Sequence, residues 1–221
     1  MIERDRLCAL LGPLLGAPVE LELLKDKPGR RATMRARGAG RSAIVKLYES
    51  QRAGTVAARV GGLAAAPGGP VVPEVLLLDE ALHLVVLSEV PGVPLTRSLT
   101  GGDRETCARA GAALGAWHAA GWGTVPGAHR PHVVARELAI MDARLERTPA
   151  ELASAVRAAL PAVADVDWGW PTIIHRDLYE EQIMVGERIG LIDLDDSALG
   201  PPELDLGNLL GHLLLLEQRS G

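Results

Sequence analysis

The feature that most limits what this chain can fold into is the run IIHRDLYEEQIMVGERIGLIDLDD at residues 173–196. Three apolar pieces in and around it, TIIH, QIMV and RIGLID, are too short for helices and too β-branched for loops. They are expected to be small strands presenting polar residues at their ends. His175, Arg176 and Asp177 follow the first piece, Gln182 comes five residues after the aspartate, and Asp193 opens a DLDD run on the last. An acid, an amide and a second acid in that order and spacing are the strongest signal in the chain.

The flanking sequence falls into two textures. From Val19 to Leu87, VELELL, RRATMRAR, SAIVKLY, PEVLLLD and HLVVLSE read as strands separated by Gly, Pro and Asp turn signals. In RRATMRAR, Arg31, Thr33, Arg35 and Arg37 share one parity and Ala32, Met34 and Ala36 the other, as a half-buried strand requires. The interruption QRAGTVAARVGGLAAA supplies a single helix to cover an antiparallel sheet, weakened by Gly54, Gly61 and Gly62. Beyond Pro91, ETCARAGAALGAWHAAG, VVARELAIMDARLER, AELASAVRAALPAV and PELDLGNLLGHLLLLEQ carry apolar positions at helical spacing, and MIERDRLCALLGPLLG reads as an amphipathic first helix. The prolines and glycine of EVPGVPL mark the boundary between textures. The expected fold class is α+β, with a sheet lobe over residues 1–90 and a helical lobe over 91–221.

Composition removes several function classes. With 221 residues, 48% hydrophobic, the chain can bury a real core. A net charge of −5 argues against nucleic acid as partner, because backbone phosphates demand a surplus of Lys and Arg. No apolar run approaches a bilayer span, so no membrane association is expected. Cys8 and Cys107 lie far apart with no CxxC, which fits a reducing cytoplasm and indicates neither a disulfide framework nor zinc. The N-terminus lacks the order of charges and the cleavage site of a signal peptide.

Phosphoryl transfer asks little of a protein: a carboxylate for the attacking hydroxyl, ligands for a metal on the phosphates, and a cation on the phosphates that stay behind. Asp177 suits the first role, Gln182 and Asp193 the second, since Mg²⁺ takes hard oxygen ligands. The segments HRDLYEEQIMV, IGLIDLDD and GPPELDLGNLLGHL together resemble the catalytic core of the aminoglycoside phosphotransferase and choline kinase family, strongly over residues 172–212. VKLY is similar to that family's lysine strand, LSEVPGVPL to its interlobe hinge, and LGAWHAAG to the helix before its catalytic loop. The resemblance implies a bilobal protein-kinase-like fold and transfer of the γ-phosphoryl group of ATP, or alternatively GTP, to a small-molecule hydroxyl. It implies Asp177 as catalytic base, Asp193 as Mg²⁺ ligand, Lys46 on the α- and β-phosphates, main-chain groups of Ser88, Glu89 and Val90 at adenine, and Asp205 as a brace for the catalytic loop.

Three departures stand against the family pattern. Gln182 replaces a metal-binding asparagine; the helix after Lys46 has no acid to pair that lysine; and the family continues with further helices after GNLLGHL. Either the chain is truncated or its acceptor site is reduced. These departures motivate the rival reading, a nucleotide-binding pseudokinase with a regulatory or scaffolding role. A protein kinase is disfavoured, because no Gly-rich phosphate loop, DFG or APE segment is present.

Of the remaining residues, His175, His118 and His212 read as packing histidines. Arg31, Arg35 and Arg37 read as a solvated strand face, the alternative being a border to the nucleotide phosphates. Residues 176–205 hold nine acids against Arg176 and Arg188, so a cationic acceptor such as an amino sugar or amino alcohol is expected alongside plain sugars. Glu180, Glu187 and Glu203 are expected to be ordinary surface acids.

Overall fold

The computed structural model of the protein describes residues 3–63, 67–120, 128–164 and 166–220. Parts of three expected helices, at residues 1–2, 64–66 and 121, lie outside the described residues. In chain order the elements are α1 (Arg4–Leu15), β1 (Glu20–Lys27), β2 (Arg31–Gly38), β3 (Arg41–Tyr48), α2 (Ala53–Gly61), β4 (Val75–Asp79), β5 (Leu84–Ser88), β6 (Val93–Pro94), α3 (Thr96–Thr100), α4 (Arg104–Ala119), α5 (Val134–Leu145), α6 (Ala150–Ala164), β7 (Thr172–Ile174), β8 (Ile183–Val185), β9 (Ile189–Leu191), β10 (Ala198–Gly200) and α7 (Glu203–Ser220). Short 3₁₀ turns occupy Glu180–Gln182 and Leu194–Asp196. No helix among the described residues is long and apolar enough to cross a membrane.

Two compact units result, residues 1–117 with 180–196 and residues 118–179 with 197–221. They are drawn differently from the expected division after residue 90, and the backbone shows why. The β8–β9 hairpin returns to the first unit: β6 pairs with β8 through Val93↔Val185 and Pro94↔Met184. Val71 exchanges main-chain hydrogen bonds with Ile189 and Leu191, both 2.8 Å. Satisfying these backbone groups holds the metal-ligand candidates in the sheet unit rather than the helical one.

The main sheet of the first unit is antiparallel in the order β1-β2-β3-β5-β4. Register sets its faces: Arg31 lies opposite Tyr48, Thr33 opposite Lys46 and Arg35 opposite Ile44, so these side chains share one face. Ala36, Ala43, Val45, Leu84 and Val86 share the other, under Leu7, Leu11 and Leu15 of α1. Those leucines recur every four residues, a single helical stripe, and burying each stabilises the unit by roughly 1.5–3 kcal/mol.

Gly92, in the EVPGVPL segment, adopts φ +130, and a Cβ there would lie 2.6 Å from the Val185 carbonyl oxygen. Only glycine lets β6 approach β8 this closely. Gly92→Ala is expected to lower the free energy of urea unfolding by about 1–3 kcal/mol. An unchanged midpoint would mean that the segment is not held there.

In the second unit, β7 and β10 form a two-stranded antiparallel pair with Ile174 opposite Ala198. Pro131 bridges to Leu199, and α5 packs against α6. Among the described residues of α7, only Asp205 is buried.

Candidate functional site

Hairpin pairing brings two of the three principal candidates together. Ile183 faces Leu191 across β8–β9, and the Gln182 carbonyl accepts the Ile192 amide at 3.0 Å. Gln182 therefore stands beside the residue that precedes Asp193, at one end of the hairpin. Asp193 has φ +60, a left-handed conformation that aspartate tolerates better than most residues. The donor types fit a hard divalent cation: the ionised Asp193 carboxylate and the neutral Gln182 amide would each offer it an oxygen.

The sheet of the same unit aims cations at this hairpin end. Lys46, buried in mid-sheet, places Nζ 2.8 Å from Asp193 Oδ1 and 2.5 Å from Asp195 Oδ1. Arg31 donates through Nη2 to Asp193 Oδ2 at 2.7 Å and through Nη1 to Asp195 Oδ2. The Tyr48 hydroxyl donates to Asp195 Oδ2 at 2.6 Å. Burial first, and then the Asp195 charge, push the Tyr48 phenol far above its ordinary range, so it remains a donor. Arg59 of α2 donates to the Asp195 main-chain oxygen at 2.6 Å, and Arg52 pairs with Asp196 at 2.7 Å.

This corrects the reading of the arginine stripe as a solvated face at Arg31 and Arg35, whereas Arg37 is exposed as expected. The Arg31 side chain is only 13% exposed and is spent on two carboxylates, whereas Arg35 bonds Glu89 at 2.7 Å and Arg37 reaches Glu22 at 3.1 Å. Glu180, expected at the surface, is buried; Glu187 and Glu203 are exposed. Much of the acidic excess is neutralised where it stands, since Asp193, Asp195 and Asp196 have Lys or Arg partners.

Burial works to raise the Asp193 carboxyl pKa, but Lys46 and Arg31 overcome it and hold the group well below the usual carboxylate range. A folded-state pKa below the unfolded one contributes stability that is complete above the unfolded value, about 3.9, and is lost as pH falls below it. The difference in urea-unfolding free energy between the wild type and Asp193→Asn is therefore expected to be constant from pH 5 to 8 and to narrow below about pH 4. A difference that changes between pH 5 and 7 would contradict the depressed pKa.

At the expected adenine segment, the Ser88 amide is already donated to the Glu74 carbonyl at 2.8 Å and the Ser88 hydroxyl accepts the Glu74 amide at 2.8 Å. Ser88 thus has no amide hydrogen to offer a base. Glu89 is held by Arg35, and Val90 is buried.

The catalytic-loop candidates lie in the second unit, where β7 runs into His175. Asp205, fully buried near the start of α7, accepts the His175 amide through Oδ2 and the Arg176 amide through Oδ1, each at 2.8 Å. His118 Nε2 lies 3.0 Å from Asp205 Oδ2. One carboxylate thus ties the loop to His118 and to α7. Arg176 has φ +72, a conformation uncommon for a long side chain, and the paired amides at and before it make the backbone hold it. Asp177, next in line, is exposed, and its amide points at His175 Nδ1 at 3.4 Å. The result is an accessible carboxylate on a braced loop. His212 stacks on Tyr179 with ring centroids 4.8 Å apart.

Sequence reasoning missed Asp195, Tyr48 and Arg59 in the first unit. In the second it missed buried His129, 3.1 Å from Ser197 Oγ, and buried His132, 2.7 Å from Glu137. Tyr48 was findable, since it shares the parity of Lys46 on β3.

A model of the phosphotransferase enzyme family (APH) matches residues 27–218. Comparison with curated proteins gives no match. Among solved structures, the chain is similar to a choline/ethanolamine kinase family protein from Mesorhizobium loti, at 23% identity and TM-score 0.65, over 93% of this chain and 69% of that one. It is also similar to the GDP complex of aminoglycoside 2′-phosphotransferase-IIIa, at 15% identity and TM-score 0.70, over 96% and 79% of the two chains. Macrolide 2′-phosphotransferase MphH from Brachybacterium faecium matches at 20% identity and TM-score 0.62, over 91% and 75%. The fold is the α+β, protein-kinase-like fold of these phosphotransferases.

Proposed function

Because the chain belongs to the phosphotransferase enzyme family, we propose that it moves the γ-phosphoryl group of ATP, or alternatively GTP, to a hydroxyl of a small molecule. The observation that carries this reading is the contact of Lys46 Nζ with Asp193 Oδ1 at 2.8 Å, a phosphate-binding cation beside a metal-binding carboxylate. Asp177 takes the proton of the acceptor hydroxyl as its oxygen attacks the γ-phosphorus, and the bond to the β–γ bridging oxygen breaks to release the nucleoside diphosphate. Lys46 and Arg31 exchange Asp193 for the non-transferred phosphates. Asp193 and Gln182 would hold Mg²⁺, which when bound neutralises charge on the phosphates. The acceptors proposed are sugars, amino sugars and amino alcohols. A structure similar to this chain, aminoglycoside phosphotransferase APH(4)-Ia, is a ternary complex with ADP and hygromycin B.

A second reading has its own support. Both Asp193 oxygens are engaged by Lys46 and Arg31, and Gln182 is one methylene longer than the asparagine it replaces, which suits a nucleotide-binding pseudokinase. Thermal-shift titration with ATP and GTP, with and without Mg²⁺, followed by assay of nucleoside diphosphate release across an acceptor panel, separates the two. Turnover with any acceptor supports the enzyme. Binding without turnover supports the pseudokinase.

A further inference from the structure

Two carboxylates of the DLDD run sit in unlike surroundings, and their difference assigns them different work. The Asp193 side chain is 22% exposed and gives each oxygen one cation. Asp195 is 3% exposed at its side chain, and its oxygens are taken by Lys46, Tyr48 and Arg31. A carboxylate closed in this way has no oxygen facing outward for a metal. Kinase-like folds usually fix the strand lysine with a glutamate from the neighbouring helix, but α2 contains no acid. Where α2 meets the turn Leu194–Asp196, it supplies Arg59, which clasps the Asp195 main-chain oxygen. The helix holds the turn, and the turn holds the lysine.

We infer that Asp195 is the positioning residue for the phosphate-binding cations: it fixes Lys46, with Tyr48 and Arg59 fixing Asp195 in turn, in the role that a helix glutamate serves elsewhere. The inference rests on the proposed nucleotide-binding function. When nucleotide and metal draw Asp193 away from the cations, Asp195 is the charge that stays and keeps Lys46 extended across the sheet. Tyr48 and Lys46 sit two residues apart on β3, so both reach Asp195 from the same strand face.

Isothermal titration of ADP in the presence of EDTA reads this without metal. Asp195→Asn and Lys46→Met are each expected to weaken ADP by about tenfold, because each removes a charge-assisted contact of the same pair. The double variant is expected to be no weaker than either single within about threefold, since coupled residues do not lose the same interaction twice. The Mg²⁺ concentration at half-maximal enhancement of ADP binding should be unchanged in Asp195→Asn. Tyr48→Phe, which removes only one donor, should weaken ADP by about threefold in the Lys46 background and not in the Lys46→Met background. That second cycle carries the test if Asp195→Asn fails to fold. Additive losses in either cycle overturn the anchor, as does a shifted Mg²⁺ midpoint with unchanged metal-free binding, which would make Asp195 a metal ligand. If the wild type binds no nucleotide, the functional reading falls and takes the anchor with it; if the wild type binds and Asp195→Asn and Tyr48→Phe bind equally well, the anchor alone falls.

Discussion

Replacing Asp177 by asparagine is expected to lower kcat by about 10²–10⁴-fold while leaving nucleotide affinity within about twofold of the wild type, the signature of a lost general base. Asp177 is the exposed residue of a loop whose two preceding amides are fixed by Asp205, so the substitution changes the proton acceptor and not the loop. The measurement is kcat on an identified acceptor with nucleotide binding followed separately. Retained turnover would remove Asp177 from the mechanism, and a matching loss of nucleotide binding would make it a folding residue instead.

The largest effect on stability is expected at Asp205. Asp205→Ala takes the carboxylate acceptor from the buried His175 amide and the part-buried Arg176 amide and removes the Asp205 contact of His118. Each orphaned buried donor costs about 1–3 kcal/mol, so a loss of about 3–5 kcal/mol in urea unfolding is expected. Activity should vanish with it, because Arg176 no longer has a reason to keep φ +72. Asp205→Asn, similar in shape but uncharged, should fall between the two. A variant that unfolds like the wild type would show that the loop is held by packing alone.

These residues also show what can be read from a chain without its fold. The alternation of RRATMRAR dictated β2 and its faces, since period two has one solution on a sheet. It did not say where Arg31 would go, because Arg31 and Asp193 are 162 positions apart and no local pattern couples them. The lack of an acid in α2 was legible, and with it the question of what holds Lys46; the answer lay on a turn formed by the far end of the sequence. Strands β6 and β10, of two and three residues, are too short to have a period and exist only because β8 and β7 offer them partners. The order of Asp177, Gln182 and Asp193 was visible from the start, but the reason Gln182 and Asp193 stand together, a hairpin with Ile183 opposite Leu191, appears only in register.

The first compact unit is built from two stretches of chain, and this sets a timetable for its birth. As the chain leaves the ribosome, α1, the five-stranded sheet and α2 emerge first, with Lys46 and Arg31 already on the sheet face. Their carboxylates arrive 147 or more residues later. Until then the nascent sheet carries two cations that cannot be buried without loss, so the face that bears them must stay hydrated. Completion of this unit waits on sequence order: the β8–β9 hairpin that closes it is made after the whole of the five-stranded sheet.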